Sequence, residues 1–331
     1  MNYQVSKKRY EVMKYNRCGK SGLLLPAVSL GLWHNFGSNG DYENMRQMCF
    51  TAFDGGITHF DLANNYGPEP GAAETNWGKI VKNDLSAYRD EMIISTKAGY
   101  DMWEGPYGNW GSRKYLIASL DQSLKRMQLD YVDIFYHHRM DPNTPLEETM
   151  GALDQIVKSG KALYVGLSNY DGETMHRATE ILKELHTPFI INQNRYNIFD
   201  RTIENNGLKK TAPAAGKGII TFSPLAQGML TDRYLNGIPK DSRIMTDGRF
   251  LHESDVNEKR MQQVMALNDV AKERGQTLAQ MALSWNLKDG DITSVLIGAS
   301  RPEQITDCMK CIENTTFSQE ELQKINQITG V

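Results

Sequence analysis

Val132-Asp133-Ile134-Phe135-Tyr136, then Thr144-Pro145-Leu146-Glu147-Glu148 through Lys158-Ser159-Gly160, then Leu163-Tyr164-Val165-Gly166-Leu167: these stretches decide the fold. The first and last are short apolar, β-rich runs of strand length. The middle one opens an amphipathic segment, Leu146–Lys158, with helix-start chemistry: Thr144 as cap, Pro145 at the first helical position, and two acids in the first turn. It closes on a cation and a glycine. Strand, helix, strand in succession means parallel strands, because parallel neighbours need a crossover that is usually a helix.

The same unit recurs outward in both directions. Further strand-like runs are Ala27–Leu30, Thr58–Asp61, Met92–Thr96, Ile190–Gln193, Ile219–Ser223 and Ser294–Ile297, with helical patterns such as Asn44–Phe53, Arg113–Met127, Thr174–Leu185 and Gln262–Glu273 between them. Ser112 is placed to cap the helix at Arg113. Eight such units closing on themselves make an α/β protein, a (β/α)8 TIM barrel, rather than a doubly wound open sheet. Met13–Arg17 and Ser21–Leu25 flank Cys18-Gly19-Lys20 and predict an N-terminal β-hairpin that plugs the barrel floor. Two connections are long, Asp101–Gly111 after the third barrel strand and Ala226–Asp255 after the seventh. Loops after strands lie on the catalytic face of such barrels. The whole span, 1–331, reads as a single domain.

Composition narrows the function. The chain has 331 residues, 40% apolar and 23% charged, with a net charge of -3, so nucleic acid is not an expected partner. The longest apolar stretch, Leu23–Trp33, is interrupted by Pro26 and is too short for a membrane span. A polar N-terminus predicts a cytoplasmic protein. Cys308 and Cys311 form a C-x-x-C pair inside a predicted helix, Pro302–Glu313, with no second pair, and they read as core residues rather than a metal or redox site. Gly19-Lys20-Ser21 lacks the earlier glycine of a phosphate loop, and no G-x-G-x-x-G follows a strand. No metal site is expected.

Chemistry gathers at the strand ends. Asp61 ends the second barrel strand, Lys97 the third, and His137 and His138 the fourth; Ser168 and Asn169 follow the fifth, Gln193 the sixth and Ser223 the seventh. Tyr66 follows Asp61 in the loop Ala63-Asn64-Asn65-Tyr66-Gly67. On a barrel these ends converge on one mouth. Any one of them alone reads more simply as a rim residue or a structural ion pair. Their joint arrangement points to a site.

These residues sit in segments that resemble the aldo-keto reductase superfamily. The likeness runs in order through Gly56-Ile57-Thr58-His59-Phe60-Asp61-Leu62-Ala63, Glu74-Thr75-Asn76-Trp77-Gly78, Ser95-Thr96-Lys97, and Tyr131 to His138. It continues in Gly166-Leu167-Ser168-Asn169, Phe222-Ser223-Pro224-Leu225-Ala226-Gln227-Gly228 and Val295 to Ser300. Within the superfamily, Gly111–Leu116, Ser159–Gly166 and Gly237-Ile238-Pro239 resemble the branch of the bacterial L-glyceraldehyde 3-phosphate reductases and the potassium-channel β subunits.

The resemblance implies a tetrad of Asp61, Tyr66, Lys97 and His138, and NADPH as the hydride source. Reducing a carbonyl requires a hydride on carbon and a proton on oxygen. Tyr66 would give the proton. A lysine ammonium at ~4 Å and an effective dielectric of ~20 contributes ~4 kcal/mol, about three pKa units, which predicts Tyr66 near ~7. Asp61 would orient Lys97, and His138 would bond the carbonyl oxygen. His138 rather than His137 closes the family's run, and strand alternation lets only one of the two face the mouth. The resemblance further implies Ser168, Asn169 and Gln193 on the nicotinamide carboxamide and Phe222 on its ring. Ser223, Leu225 and Gln227 would meet the pyrophosphate, with Arg233 and Arg243 as phosphate clamps. Ser300 and Gln304, beginning the last α-helix, would take the adenosine 2′-phosphate. Trp33 is a further contact. Asp307-Cys308 departs from the usual Glu-Asn of the adenosine site.

Three functions compete. The first is NADPH-dependent reduction of a small aldehyde such as glyceraldehyde 3-phosphate or methylglyoxal, in a pocket walled by Trp33, Trp103 and Trp110. Arg113 and Lys114 either draw a substrate phosphate or simply solvate a helix start. The second is a nucleotide-sensing regulatory subunit of a channel or other partner. The third, a Schiff-base aldolase using Lys97, conflicts with its Asp61 and Tyr66 neighbours. By analogy with the branch, a homo-oligomer, tetramer or octamer, is expected.

Overall fold

A computed structural model describes residues 3–235 and 256–331. Strands β3 (Val28–Gly31), β4 (His59–Asp61), β5 (Ile93–Ala98), β6 (Val132–His137), β7 (Ala162–Ser168), β8 (Phe189–Arg195), β9 (Gly218–Phe222) and β10 (Ser294–Ile297) form a closed barrel in chain order. Neighbours pair in parallel, and β10 closes on β3 through Val295 against Val28 and Leu296 against Ser29. The sequence boundaries hold to within about two residues, because strands buried on both faces read as continuous apolar runs.

The helices fall where periodicity and caps place them. Ser112 accepts from the Tyr115 amide and starts Arg113–Met127. Asp171 caps Gly172–Glu184 in the same way. The helix Leu146–Lys158 starts differently from expectation: Pro145, not Thr144, stands at its N-cap. Thr144 gives its hydroxyl to Asp141 Oδ2 at 2.6 Å, which diverts it from capping. The predicted helix Pro302–Glu313 is helical only to Met309 and tightens to a 3-10 turn over Lys310–Glu313.

The hairpin is present as β1 (Tyr15–Arg17) against β2 (Leu24–Pro26). It plugs the floor: Cys18 and Leu25 are fully buried and pack with Ile134, Ile190, Ile191 and Ile220 inside the barrel. The turn is fastened by Lys20 N–H on Gly216 O at 2.8 Å. Gly19 is left-handed there, and a Cβ on it would collide with that same carbonyl. A second apolar shell lies between strands and helices, where Trp77 stacks on Phe60 at 4.5 Å. Cys308 and Cys311 belong to this shell as buried free thiols, and burial pushes Cys308 up to about 12. Among the described residues no helix is long and apolar enough to cross a membrane.

Candidate active site

With the floor plugged by apolar side chains, the open end is the one where the strands finish. β4 and β5 deliver the most tightly held group there. Lys97 Nζ donates to Asp61 Oδ2 at 2.5 Å, to Leu62 O at 2.5 Å and to Tyr66 OH at 3.3 Å. Asp61 and Lys97 are both 0% exposed, while Tyr66 is partly open. A buried pair costs several kcal/mol per ion in desolvation, offset only by good geometry and further hydrogen bonds. Those bonds exist: Ser95 Oγ donates to Asp61 Oδ1 at 2.6 Å, and Gln193 Nε2 to the same oxygen at 3.2 Å.

Tyr66 is held by its chain as well as by Lys97. Its loop runs into the helix Ala72–Ile80, whose Glu74 is fully buried. Glu74 accepts from Thr96 Oγ1 at 2.6 Å and from Arg126 Nε at 2.7 Å, which ties the helix to β5. The Tyr66 ring lies 5.9 Å from that of Trp33 and 6.1 Å from that of His138.

Electrostatics at Tyr66 differ from the expectation of a value near 7. Burial, then the negative charge of Asp61, hold the phenol well above its usual range. Lys97 does not act alone on the phenol: it comes paired with a carboxylate that cancels much of its field. Burial also lowers Lys97, opposed by Asp61. Tyr66 is therefore a phenol at working pH, with an ammonium against its oxygen.

The two histidines divide as strand alternation requires. His138 has its ring beside Tyr66, and an edge contact to Tyr100 at 4.7 Å. His137 turns to the helix layer, with Nδ1 2.7 Å from Tyr170 OH. Burial pushes both below the ordinary histidine range, His137 to about 4, so both are neutral. His138 Nδ1 is buried without a partner among the described residues.

The other expected residues gather on the rim beside this centre. Asn169 donates from Nδ2 to His138 O at 2.9 Å and to Ser168 Oγ at 3.2 Å, and its amide N–H bonds Gln193 O at 3.0 Å. Phe222 ends β9, Leu225 follows it, and Gln227 Nε2 donates to Ser223 Oγ at 3.2 Å. Asn169, Ser223, Ala226 and Gln227 all have positive φ, between 47° and 59°. Such backbone costs ~1–3 kcal/mol per residue and clusters at functional sites.

Arg233 lies farther along the same loop, in the turn Asp232–Tyr234. Arg243 lies outside the described residues. Ser300 and Gln304 are joined, Gln304 Oε1 accepting from the Ser300 amide at 2.8 Å, but they do not begin the last helix. Ser300 precedes the N-cap Arg301 of Pro302–Met309, and Gln319–Thr329 follows. Arg113 and Lys114 begin the helix after the long loop. The Arg113 amide bonds Glu148, its guanidinium lies along Gly151, and Lys114 covers the Tyr107 ring.

Arg139, next in the chain to His138, was not singled out from the sequence and stands beside the mouth. Its guanidinium carbon lies 3.6 Å from the Trp110 ring centre and 4.3 Å from that of Tyr100. Nε donates to Gly99 O at 2.8 Å and Nη2 to Asn109 Oδ1 at 2.9 Å, and it makes no ion pair among the described residues. The signal was the position itself, a cation one residue beyond a strand-end histidine.

Comparison with known proteins agrees with this geometry. The family model "Aldo/keto reductase family" matches residues 27–329. The chain is 56% identical over 330 residues to the L-glyceraldehyde 3-phosphate reductase of Escherichia coli (strain K12), covering 99% of this chain and 95% of that protein. It is 33% identical over 306 residues to a probable voltage-gated potassium channel subunit beta of Oryza sativa subsp. japonica, covering 91% and 92%. A putative subunit of that type from Schizosaccharomyces pombe is 35% identical over 318 residues, covering 94% and 91%. A barrel of this construction, matched over nearly its whole length, belongs to the aldo/keto reductase family and is an oxidoreductase.

Proposed function

We propose that the protein reduces a small phosphorylated aldehyde, glyceraldehyde 3-phosphate in the first place, with NADPH as hydride source and Tyr66 as proton donor. The observation that carries this is the buried Asp61–Lys97 pair with Nζ 3.3 Å from the Tyr66 oxygen. Tyr66 remains protonated until the carbonyl oxygen gains charge, and then gives up its proton. Lys97 stabilises the phenolate left behind, and neutral His138 donates a hydrogen bond to the substrate's carbonyl oxygen.

The rim suits a dinucleotide. Asn169 commits Nδ2 to its neighbours and leaves Oδ1 as an acceptor beside the Ser168 hydroxyl, the complement of an amide N–H. Ser223, Ala226 and Gln227 are held left-handed, a strained backbone of the kind that clusters at ligand clamps. Ser168, Asn169, Gln193, Phe222, Ser223, Leu225, Gln227, Arg233, Arg243, Ser300 and Gln304 would hold the cofactor, with Trp33 beside them. When bound, NADPH supplies the hydride that the side chains lack.

A phosphorylated substrate is supported by the 56% relative's reaction and by Arg139, a fixed guanidinium without an ion pair beside His138. The test is NADPH oxidation with glyceraldehyde 3-phosphate and with methylglyoxal. Wild type should turn over both, and Tyr66→Phe should lose at least ~10²-fold in kcat. Arg139→Met should raise KM for the phosphorylated aldehyde by about tenfold more than for methylglyoxal. Tight NADPH binding without turnover of either aldehyde would favour the nucleotide-sensing function of the channel subunits.

A further inference from the structure

His59 lies on β4 two residues before Asp61, and Ser95 on β5 two residues before Lys97, so alternation turns all four side chains into the barrel. His59 is 0% exposed, and the mechanism above does not use it. Its Nε2 is 2.9 Å from Ser95 Oγ and its Nδ1 2.9 Å from Ser29 Oγ. Ser29 Oγ is in turn 2.7 Å from Ser294 Oγ on β10. With the Ser95 to Asp61 bond, one chain of contacts crosses β10, β3, β4 and β5 and ends on the carboxylate that holds Lys97.

The direction of every bond follows from the carboxylate end. Ionised Asp61 can only accept, so Ser95 spends its single hydrogen on Oδ1. Ser95 must then accept from His59, which places the imidazole proton on Nε2. Burial pushes His59 down to about 4, so the ring is neutral and Nδ1 carries no hydrogen. Ser29 donates to Nδ1, and Ser294 donates to Ser29. All donors point one way, toward Asp61. Ser29 and Ser294 are both fully buried, so the chain opens to no solvent and transmits polarisation rather than protons.

We infer that His59 is a positioning residue for carbonyl reduction: acting through Ser95, it holds Asp61 in the place and ionised form that keep Lys97 a cation against Tyr66. The inference rests on Tyr66 being the proton donor. A buried ion pair can escape its desolvation by passing a proton from lysine to carboxylate. Each donor on Oδ1 opposes that transfer, and Ser95, at 2.6 Å, is the shorter of the two beside Gln193 at 3.2 Å. A chain of oriented donors does this without a second buried charge, which would itself need a partner.

Long-range proton–nitrogen NMR of the wild-type protein reads the tautomer directly, and the inference requires a neutral ring protonated on Nε2. Ser95→Ala should lower kcat about tenfold, the worth of one hydrogen bond to a charged group, with the NADPH Kd changed less than about twofold. Ser95→Thr keeps the hydroxyl and should restore kcat to within about twofold, a rescue that a purely packing role does not produce. His59→Gln, which retains a donor and an acceptor, should stand between wild type and His59→Leu. A proton on Nδ1 overturns the proposed direction and with it the role. A Ser95→Ala enzyme as fast as wild type, while Tyr66→Phe is inactive, overturns the positioning role alone. An active Tyr66→Phe overturns the reading of Tyr66 and the positioning role with it.

Discussion

The wall of the mouth built by β4 and β5 and the rim built after β7 and β9 are made from the same kind of strand end, yet they are held in opposite ways. On the wall, His59, Asp61, Ser95 and Lys97 are fully buried in regular strands and bonded to one another. On the rim, Asn169 is exposed, Ser223, Ala226 and Gln227 are partly open, and all four are left-handed. Folding needs the wall's bonds, since a buried charge or donor without a partner is costly. It does not need the rim's backbone strain, which favours unfolding. On the proposed function, the wall would position the reacting groups with the same contacts that stabilise the fold, whereas the rim would keep a shape for what binds there.

Breaking the wall should have the largest effect. Lys97→Met leaves Asp61 charged and unpaired in the interior, and should cost about 3–5 kcal/mol of unfolding free energy as well as more than ~10²-fold in kcat. Urea unfolding and NADPH turnover measure the two losses. A variant as stable as wild type would mean that the ion pair does not hold the wall.

Acid is the next largest perturbation. His59 and His137 are pushed from 6.5 to about 4 by burial. The unfolded chain therefore binds protons that the folded one refuses once the pH drops below about 6.5. Stability is complete above that value and is lost as the pH falls toward 4. At pH 5 the loss should be about 2 kcal/mol per histidine. Equal urea midpoints at pH 7 and pH 5 would contradict the neutral, buried state of these rings.

The rim should answer with the smallest change in stability. Ser223→Gly relieves left-handed strain but raises chain entropy in the unfolded state, so unfolding free energy should move by less than about 1 kcal/mol. The same change should weaken NADPH by several-fold, because the turn is loosened and the bond from Gln227 to the Ser223 hydroxyl is lost. A loss comparable to that of Lys97→Met would erase the distinction between wall and rim.

Much of this was legible in the sequence. Strands of the barrel announce themselves as apolar runs because both faces are covered, and Ser112 and the hairpin around Gly19 were readable from local chemistry. The gathering of Asp61, Tyr66, Lys97 and His138 at one mouth was legible through its motif. Thr144 was not, because a nearby Asp141 outbid the helix for its hydroxyl, and no local pattern records that contest. The acidity of Tyr66 was misjudged by pairing it with one charge when burial and a second charge also act. His59 and Ser95 were within reach: each stands two residues before a tetrad member, so alternation alone turned them inward. What no strand pattern supplies is their partners on β3 and β10, since Ser29 and Ser294 are 265 positions apart.

On the proposed function Tyr66, a neutral phenol held by Lys97, gives the proton that completes carbonyl reduction. Single-turnover decay of NADPH absorbance with glyceraldehyde 3-phosphate, wild type against Tyr66→Phe across about pH 6 to pH 9, decides whether it does. The wild-type rate should stay level over that range, because the phenol does not titrate within it, and the variant should be slower by at least ~10²-fold with NADPH still bound. A variant that reduces the aldehyde at the wild-type rate would contradict the assignment, and a wild-type rate that falls through neutral pH would contradict the neutral phenol.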